Sequence, residues 1–167
     1  MAHPGHLPFC STQVKTEVIL VRLNKESPRK CSLTPLRRQA EWGFRWLHVA
    51  LGQEVEIGEA TLLHPDGPVL TPADAHRPLM LVDSSWRDLP RVLRGLRGEF
   101  HYRSLPADLR TAYPRKSNYF PDPSQGLASI EALHAALAML GEREDRLLEA
   151  YRWRQQYLDL NQHLLPA

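Results

Sequence analysis

Pro78-Leu79-Met80-Leu81-Val82-Asp83-Ser84-Ser85-Trp86 is the stretch on which the fold turns. An unbroken apolar run gives way to a carboxylate, two hydroxyls and an indole. Such a run reads as a buried strand. A buried strand that opens into polar groups at its C-terminal end marks the place where open α/β sheets hold ligands.

The flanking sequence supplies the partners of that strand. Residues 16–23 (TEVILVRL) are β-branched and apolar and read as a first strand. Thr34-Pro35 places an N-cap before a proline, which predicts a helix through about Leu47 with Trp42 and Trp46 on one face as core aromatics. Residues 58–63 read as a strand, His64-Pro65-Asp66-Gly67-Pro68 as a turn and Thr71-Pro72-Ala73-Asp74 as the start of a short helix. Arg91, Arg94 and Arg97 recur at helical spacing over residues 89–98. From Leu105 onward the strand patterns stop. A short helix is expected near Ser104, a Pro- and Asn-bearing loop over 113–125, a strong amphipathic helix over 129–139 and a longer one from Glu142 to about Leu165. The expected division is a disordered start (1–14), an α/β lobe (15–103) and an all-α lobe (104–167), with a small-molecule site in the cleft between them.

Composition narrows the classes. In 167 residues, 43% hydrophobic and 24% charged is the mixture of a chain that can bury a core. No apolar run nears the ~20 residues that span a bilayer, and the start lacks a signal-peptide pattern. Cys10 and Cys31 form no C-x-x-C, so the chain reads as a protein of a reducing cytoplasm, and a disulfide between them is weakly supported. The histidines are scattered, so no metal is expected. Residues 87–117 carry a net charge of +5 and residues 131–159 one of −2, so one face is expected to meet a polyanion. There is no G-x-G-x-x-G and no P-loop, which argues against a Rossmann-type site. Any nucleotide-like cofactor would be held by backbone loops.

Read in order, seven segments resemble the S-adenosylmethionine-dependent aminocarboxypropyltransferases of small-subunit ribosomal RNA. Ser27-Pro28-Arg29-Lys30-Cys31-Ser32 is similar to that family's D-P-K-K-C-[ST]. Leu63-His64-Pro65 with Leu70-Thr71-Pro72-Ala73-Asp74 is similar to L-S-P…L-S-P-A-D, and Val82-Asp83-Ser84-Ser85-Trp86 to V-D-C-S-W. Arg103-Ser104-Leu105-Pro106, Asn118-Tyr119 and residues 127–132 (LASIEA) follow, then Trp153 with residues 157–161 (YLDLN). The chain departs from the pattern at Tyr113, at two extra residues before Asn118, at Phe120 and at Ser84, where the family carries cysteine.

The resemblance implies a ribosome-biogenesis protein with a SPOUT-like trefoil-knotted α/β N-terminal lobe and an all-α C-terminal lobe. It implies transfer of a 3-amino-3-carboxypropyl group to a ring nitrogen of uridine or pseudouridine. Asp83 would be catalytic, taking the ring proton or stabilising positive charge. Leu63, Pro65, Leu105 and Tyr119 would flank the adenine of S-adenosylmethionine. Val82, Asp83 and Trp86 would line the pocket, and Ser32, Leu127, Ala128 and Ser129 would meet the carboxylate end. Arg29, Lys30, Arg91, Arg94, Arg97, Arg103, Arg115 and Lys116 are the candidates for RNA phosphate contact. Ribosomal RNA is the expected partner and a monomer the expected state. An RNA methyltransferase of the SPOUT class, a tRNA aminocarboxypropyltransferase and a non-catalytic RNA-binding assembly factor stay open as alternatives.

Overall fold

The computed structural model describes residues 14–25, 27–29, 31–114 and 126–167. Its centre is a five-stranded sheet in the order β2-β1-β4-β3-β5, with every neighbouring pair parallel. The strands are β1 (Val18–Leu23), β2 (Arg45–Val49), β3 (Val55–Leu63), β4 (Leu79–Asp83) and β5 (Leu96–Arg103). The helices are α1 (Thr34–Arg37), α2 (Leu89–Gly95), α3 (Ser129–Met139) and α4 (Arg154–Asn161).

β1 is buried at all six positions, as a strand covered on both faces must be. Val18 and Leu20, with Leu79 and Leu81 of β4, join the core beneath α3. Ile19, Val21 and Met80 face the opposite core with Val92 of α2. This is the two-residue alternation of a strand.

Two cores on the two faces of one sheet overturn the expected separation into a knotted lobe and an all-α lobe. Ile130, Leu133 and Leu137 of α3 share a single cluster with β1 and β4. The Glu142 carboxylate accepts hydrogen bonds from the backbone N–H groups of Lys15 and Thr16, tying the helical segment to the entry of β1. The described residues form one α/β unit with a parallel sheet, and its strand order establishes no trefoil knot.

Several local expectations also change. The helix opened by Thr34 stops at Arg37. A 3-10 turn over Ala40–Trp42 ends at Gly43, and the chain then enters β2. Trp42 is a core residue, but Trp46 lies on a strand and is half-buried. Helix α2 ends at Gly95, so Arg97 belongs to β5. Ser104 bridges Val69, and residues 105–109 hold a turn and no helix. α3 begins and ends where expected, but it is buried nearly all round and is not amphipathic. The long C-terminal helix is broken into a 3-10 turn (Asp145–Leu148) and α4.

The N-terminal halves of β3 and β5 form a ribbon whose register shifts between Glu56 and Gly58. Gly98 adopts φ 152°, and a Cβ there would fall on the carbonyl of Gly58. Only glycine tolerates both conditions.

Candidate active site

Parallel strands deliver their carboxyl ends to one edge, and the cleft lies there. Leu63 closes β3, Val82 and Asp83 close β4, and Ser104-Leu105 follow β5. The loop after β1 brings Cys31 and Ser32 to the same edge, and α3 points its N-terminus at it with Ala128 and Ser129. Together with Pro65, Trp86 and Leu127 these residues line a cleft of about 1190 Å³. All the residues expected around the cofactor therefore converge, except Tyr119, which lies outside the described residues.

Asp83 is the hub. Its Oδ1 accepts the Ser129 hydroxyl at 3.0 Å and its Oδ2 the Cys31 thiol at 2.8 Å. The Arg22 guanidinium lies 3.4 Å from Oδ2 through Nε. Arg22 is 2% exposed, an unusual burial for a cation, and is paired across the β1–β4 register with Asp83. It also donates to Cys31 Sγ (2.7 Å) and Thr34 Oγ1 (3.2 Å) and lies 5.3 Å from the centre of the Trp46 ring. Burial first, and then the neighbouring Asp83 carboxylate, pushes the Cys31 thiol up to about 11. Cys31 is therefore a protonated hydrogen-bond donor and no nucleophile. It is a free cysteine, and Cys10 lies outside the described residues.

The wall opposite is pinned from behind. Ser32 Oγ accepts the N–H of Ile130 (3.0 Å), so that hydroxyl anchors the start of α3 and retains its own proton for donation. The fully buried Glu131 carboxylate accepts from Ala128 N–H, Ala112 N–H and the Thr111 hydroxyl. On the near side Lys25 pairs with Asp88 at 2.5 Å, and Ser85 donates to the same carboxylate at 3.0 Å, joining the loop after β1 to the turn that carries Trp86. Trp86 is 40% exposed at the mouth, so it is not a core tryptophan.

Among the described residues, the basic groups expected to meet RNA fall at more than one place on the sheet. Arg29, Arg91 and Arg94 are exposed. Arg97 pairs with Glu54 at 2.5 Å and donates to the Arg94 carbonyl, at the end of β5 remote from the cleft, about 20 Å from Arg103 along the strand. Arg103 lies near the cleft, but its guanidinium holds Asp74 (3.0 Å), which Arg77 also holds (2.7 Å). Lys30, Arg115 and Lys116 lie outside the described residues. The scattered histidines include His101, whose ring nitrogen lies 3.1 Å from Glu59 and 3.8 Å from Glu99 on the β3–β5 pair, three side chains close enough to share a metal ion.

Arg22 is the residue that the sequence reading missed, along with the role of Cys31. Its signal was present, a lone cation in an otherwise apolar strand.

The fold and cleft define an α/β protein with a large, partly apolar site at the carboxyl edge of a parallel sheet. Residues 62–167 match the family model described as "Ribosome biogenesis protein, C-terminal". The chain is 34% identical to the 16S rRNA aminocarboxypropyltransferase of Halobacterium salinarum over 142 residues, covering 84% of this chain and 79% of that protein. It is 36% identical over 97 residues to the protein of the same name from Methanopyrus kandleri, covering 57% and 54% of the two chains. A solved structure, described as the SAM-dependent rRNA:acp-transferase Tsr3 from Vulcanisaeta distributa, superposes with a TM-score of 0.62 at 29% identity over 89% of this chain and 79% of that one. The chain belongs to the small-subunit rRNA aminocarboxypropyltransferase family.

Proposed function

We propose that this protein transfers the 3-amino-3-carboxypropyl group of S-adenosylmethionine to a ring nitrogen of a uridine or pseudouridine in small-subunit ribosomal RNA. One observation carries the reading. In a chain of this family, the cleft at the carboxyl edge of the sheet combines apolar walls, a carboxylate hub and the N-terminus of a buried helix.

The residues present fit the cofactor. Leu63, Pro65 and Leu105 offer an apolar slot for a purine. The exposed Trp86 ring offers its face to a cation. Ala128 and Ser129 bring the N-terminus of α3 to the cleft beside Ser32, whose hydroxyl keeps a proton to donate to a carboxylate. When bound, the sulfonium would supply the activation: the bond from sulfur to the aminocarboxypropyl carbon breaks as the ring nitrogen bonds to that carbon, methylthioadenosine leaves, and the ring N–H proton passes to solvent.

The protein then has mainly to orient and to exclude water. Apolar walls around the methyl would leave the aminocarboxypropyl carbon toward the entering base. Asp83 had two possible roles. Both of its oxygens already accept hydrogen bonds and its charge is balanced by Arg22, which supports the electrostatic role over uptake of the ring proton. The working unit of this reading is the single chain, whose described residues supply the side chains named in the cleft. It works in the cytoplasm, where Cys31 stays a thiol.

Labelled cofactor tests the reaction. S-adenosylmethionine labelled in its carboxyl carbon should mark small-subunit RNA, and cofactor labelled only in its methyl should not. Methyl label in the RNA would turn the reading into a methyltransferase, and label in the tRNA fraction alone would change the substrate.

A further inference from the structure

The large apolar side chains most exposed among the described residues are not scattered. Val69, Trp86 and Tyr102 are 47%, 40% and 37% exposed, and each lines the cleft or packs against a residue that does. Val69 and Trp86 line it directly. Tyr102 reaches it through His64, which also lines it. The two rings sit 4.9 Å apart between centroids, tilted by 45°. One exposed tyrosine needs no explanation, but an apolar cluster around a functional opening does.

The pair is held firmly. His64 N–H donates to the Arg103 carbonyl, Ser104 N–H to the Pro68 carbonyl and Leu70 N–H to the Ser104 carbonyl, so the turn after β3 is zipped onto the end of β5. Val69 and Ser104 form a parallel bridge. His64 Nδ1 accepts the Asp66 N–H at 3.1 Å, which fixes the ring. Arg103 donates to the Tyr102 carbonyl at 2.8 Å. The result is an ordered aromatic shelf beside the opening. Where the family motif L-S-P carries serine, this chain carries His64.

A ring nitrogen is reached only when its base leaves the stack, and that departure strips a neighbouring base of its partner. Aromatic side chains accept such bases face to face with little regard to sequence. Across the mouth, the exposed Arg87 follows Trp86 and offers a phosphate contact.

We infer that His64 and Tyr102, with Val69 beside them, form a stacking platform for the unstacked RNA base next to the modified nucleotide. This rests on the RNA substrate proposed above. Tyr102 contacts RNA and not S-adenosylmethionine, so the two ligands separate its effects.

The test uses the full chain, S-adenosylmethionine and a small-subunit RNA hairpin containing the target. Tyr102→Ser should raise the KM for RNA about tenfold, the loss of one stacked base. Its affinity for S-adenosylmethionine by calorimetry and its melting curve should be unchanged, and Tyr102→Phe should restore the KM. In the wild type, one abasic substitution beside the target should cause a similar loss, and the same substitution should cost Tyr102→Ser nothing more. A wild-type KM in Tyr102→Ser, or losses that multiply at every flanking position, overturns the platform while leaving the transferase reading intact. A wild-type enzyme that transfers nothing to RNA overturns both.

Discussion

Arg22 and Asp83 show how a buried ion pair can build a site. Their attraction compensates two desolvated charges only while both remain. Asp83→Asn should therefore leave Arg22 uncompensated, lower stability by about 3 kcal/mol in chemical denaturation and abolish turnover. Cys31 offers an independent check, since its thiol is pushed up to about 11. At about pH 8, alkylation followed by mass spectrometry should leave Cys31 unlabelled in the folded protein and label it on unfolding. Rapid labelling of the native thiol would refute its role as a protonated donor. The carboxylate end of residues 78–83 was legible because composition changes sharply there. Its partner was not, because pairing Arg22 with Asp83 needs the order of β1 beside β4, which no local pattern encodes.

At the scale of elements, α3 was legible to the residue because its ends are marked, but its surroundings were not. Its His134 is fully buried between the Tyr157 hydroxyl (3.3 Å) and Asp145 (2.8 Å). Burial lowers its pKa below the ordinary 6.5, against the opposing pull of Asp145. In the unfolded chain the imidazole takes up its proton near 6.5, and in the folded chain it does so only at lower pH. The stability of the neutral state is thus complete above 6.5 and is lost as pH falls below it. Melting temperatures between about pH 7.5 and 5.5 should fall in the wild type and fall less steeply in His134→Gln. The β3–β5 ribbon makes a separate demand at Gly98, where Gly98→Ala should cost about 2 kcal/mol of stability, measured in urea. β2 and β5 escaped the sequence reading because other periods overlay them. Trp42 and Trp46 are four apart, and Arg91, Arg94 and Arg97 are three apart, both mimicking a helix. The expected long C-terminal helix breaks where Tyr151, Trp153 and Tyr113 pack edge to face, at 5.8 and 5.1 Å between neighbouring rings.

For the whole molecule, the parallel sheet explains why motifs far apart in sequence meet. Each strand that ends at the cleft carries its motif to one edge, and α3 closes that edge from the sheet face. The order of motifs along the chain was legible. The single core uniting α3 with β1 and β4 was not, because hydrophobic periodicity does not say which faces meet. Binding confined to the folded state should stabilise it, so S-adenosylmethionine at about 100 times its Kd should add about 2.7 kcal/mol and raise the melting temperature. The dispersed arginines have a counterpart in RNA binding. With Arg97 and Arg103 engaged by Glu54 and Asp74, charge reversal at Arg97 should leave the salt dependence of RNA affinity unchanged, whereas Arg87→Glu should reduce it.

The central claim is the group transferred and the RNA that receives it. Nucleosides from small-subunit RNA of cells with and without this protein, separated and weighed by mass spectrometry, test it most directly. The account predicts an aminocarboxypropyl-uridine or -pseudouridine that disappears with the protein and returns when purified protein and S-adenosylmethionine are added to the unmodified subunit. Identical nucleoside profiles, or loss of a methylated nucleoside instead, would contradict it.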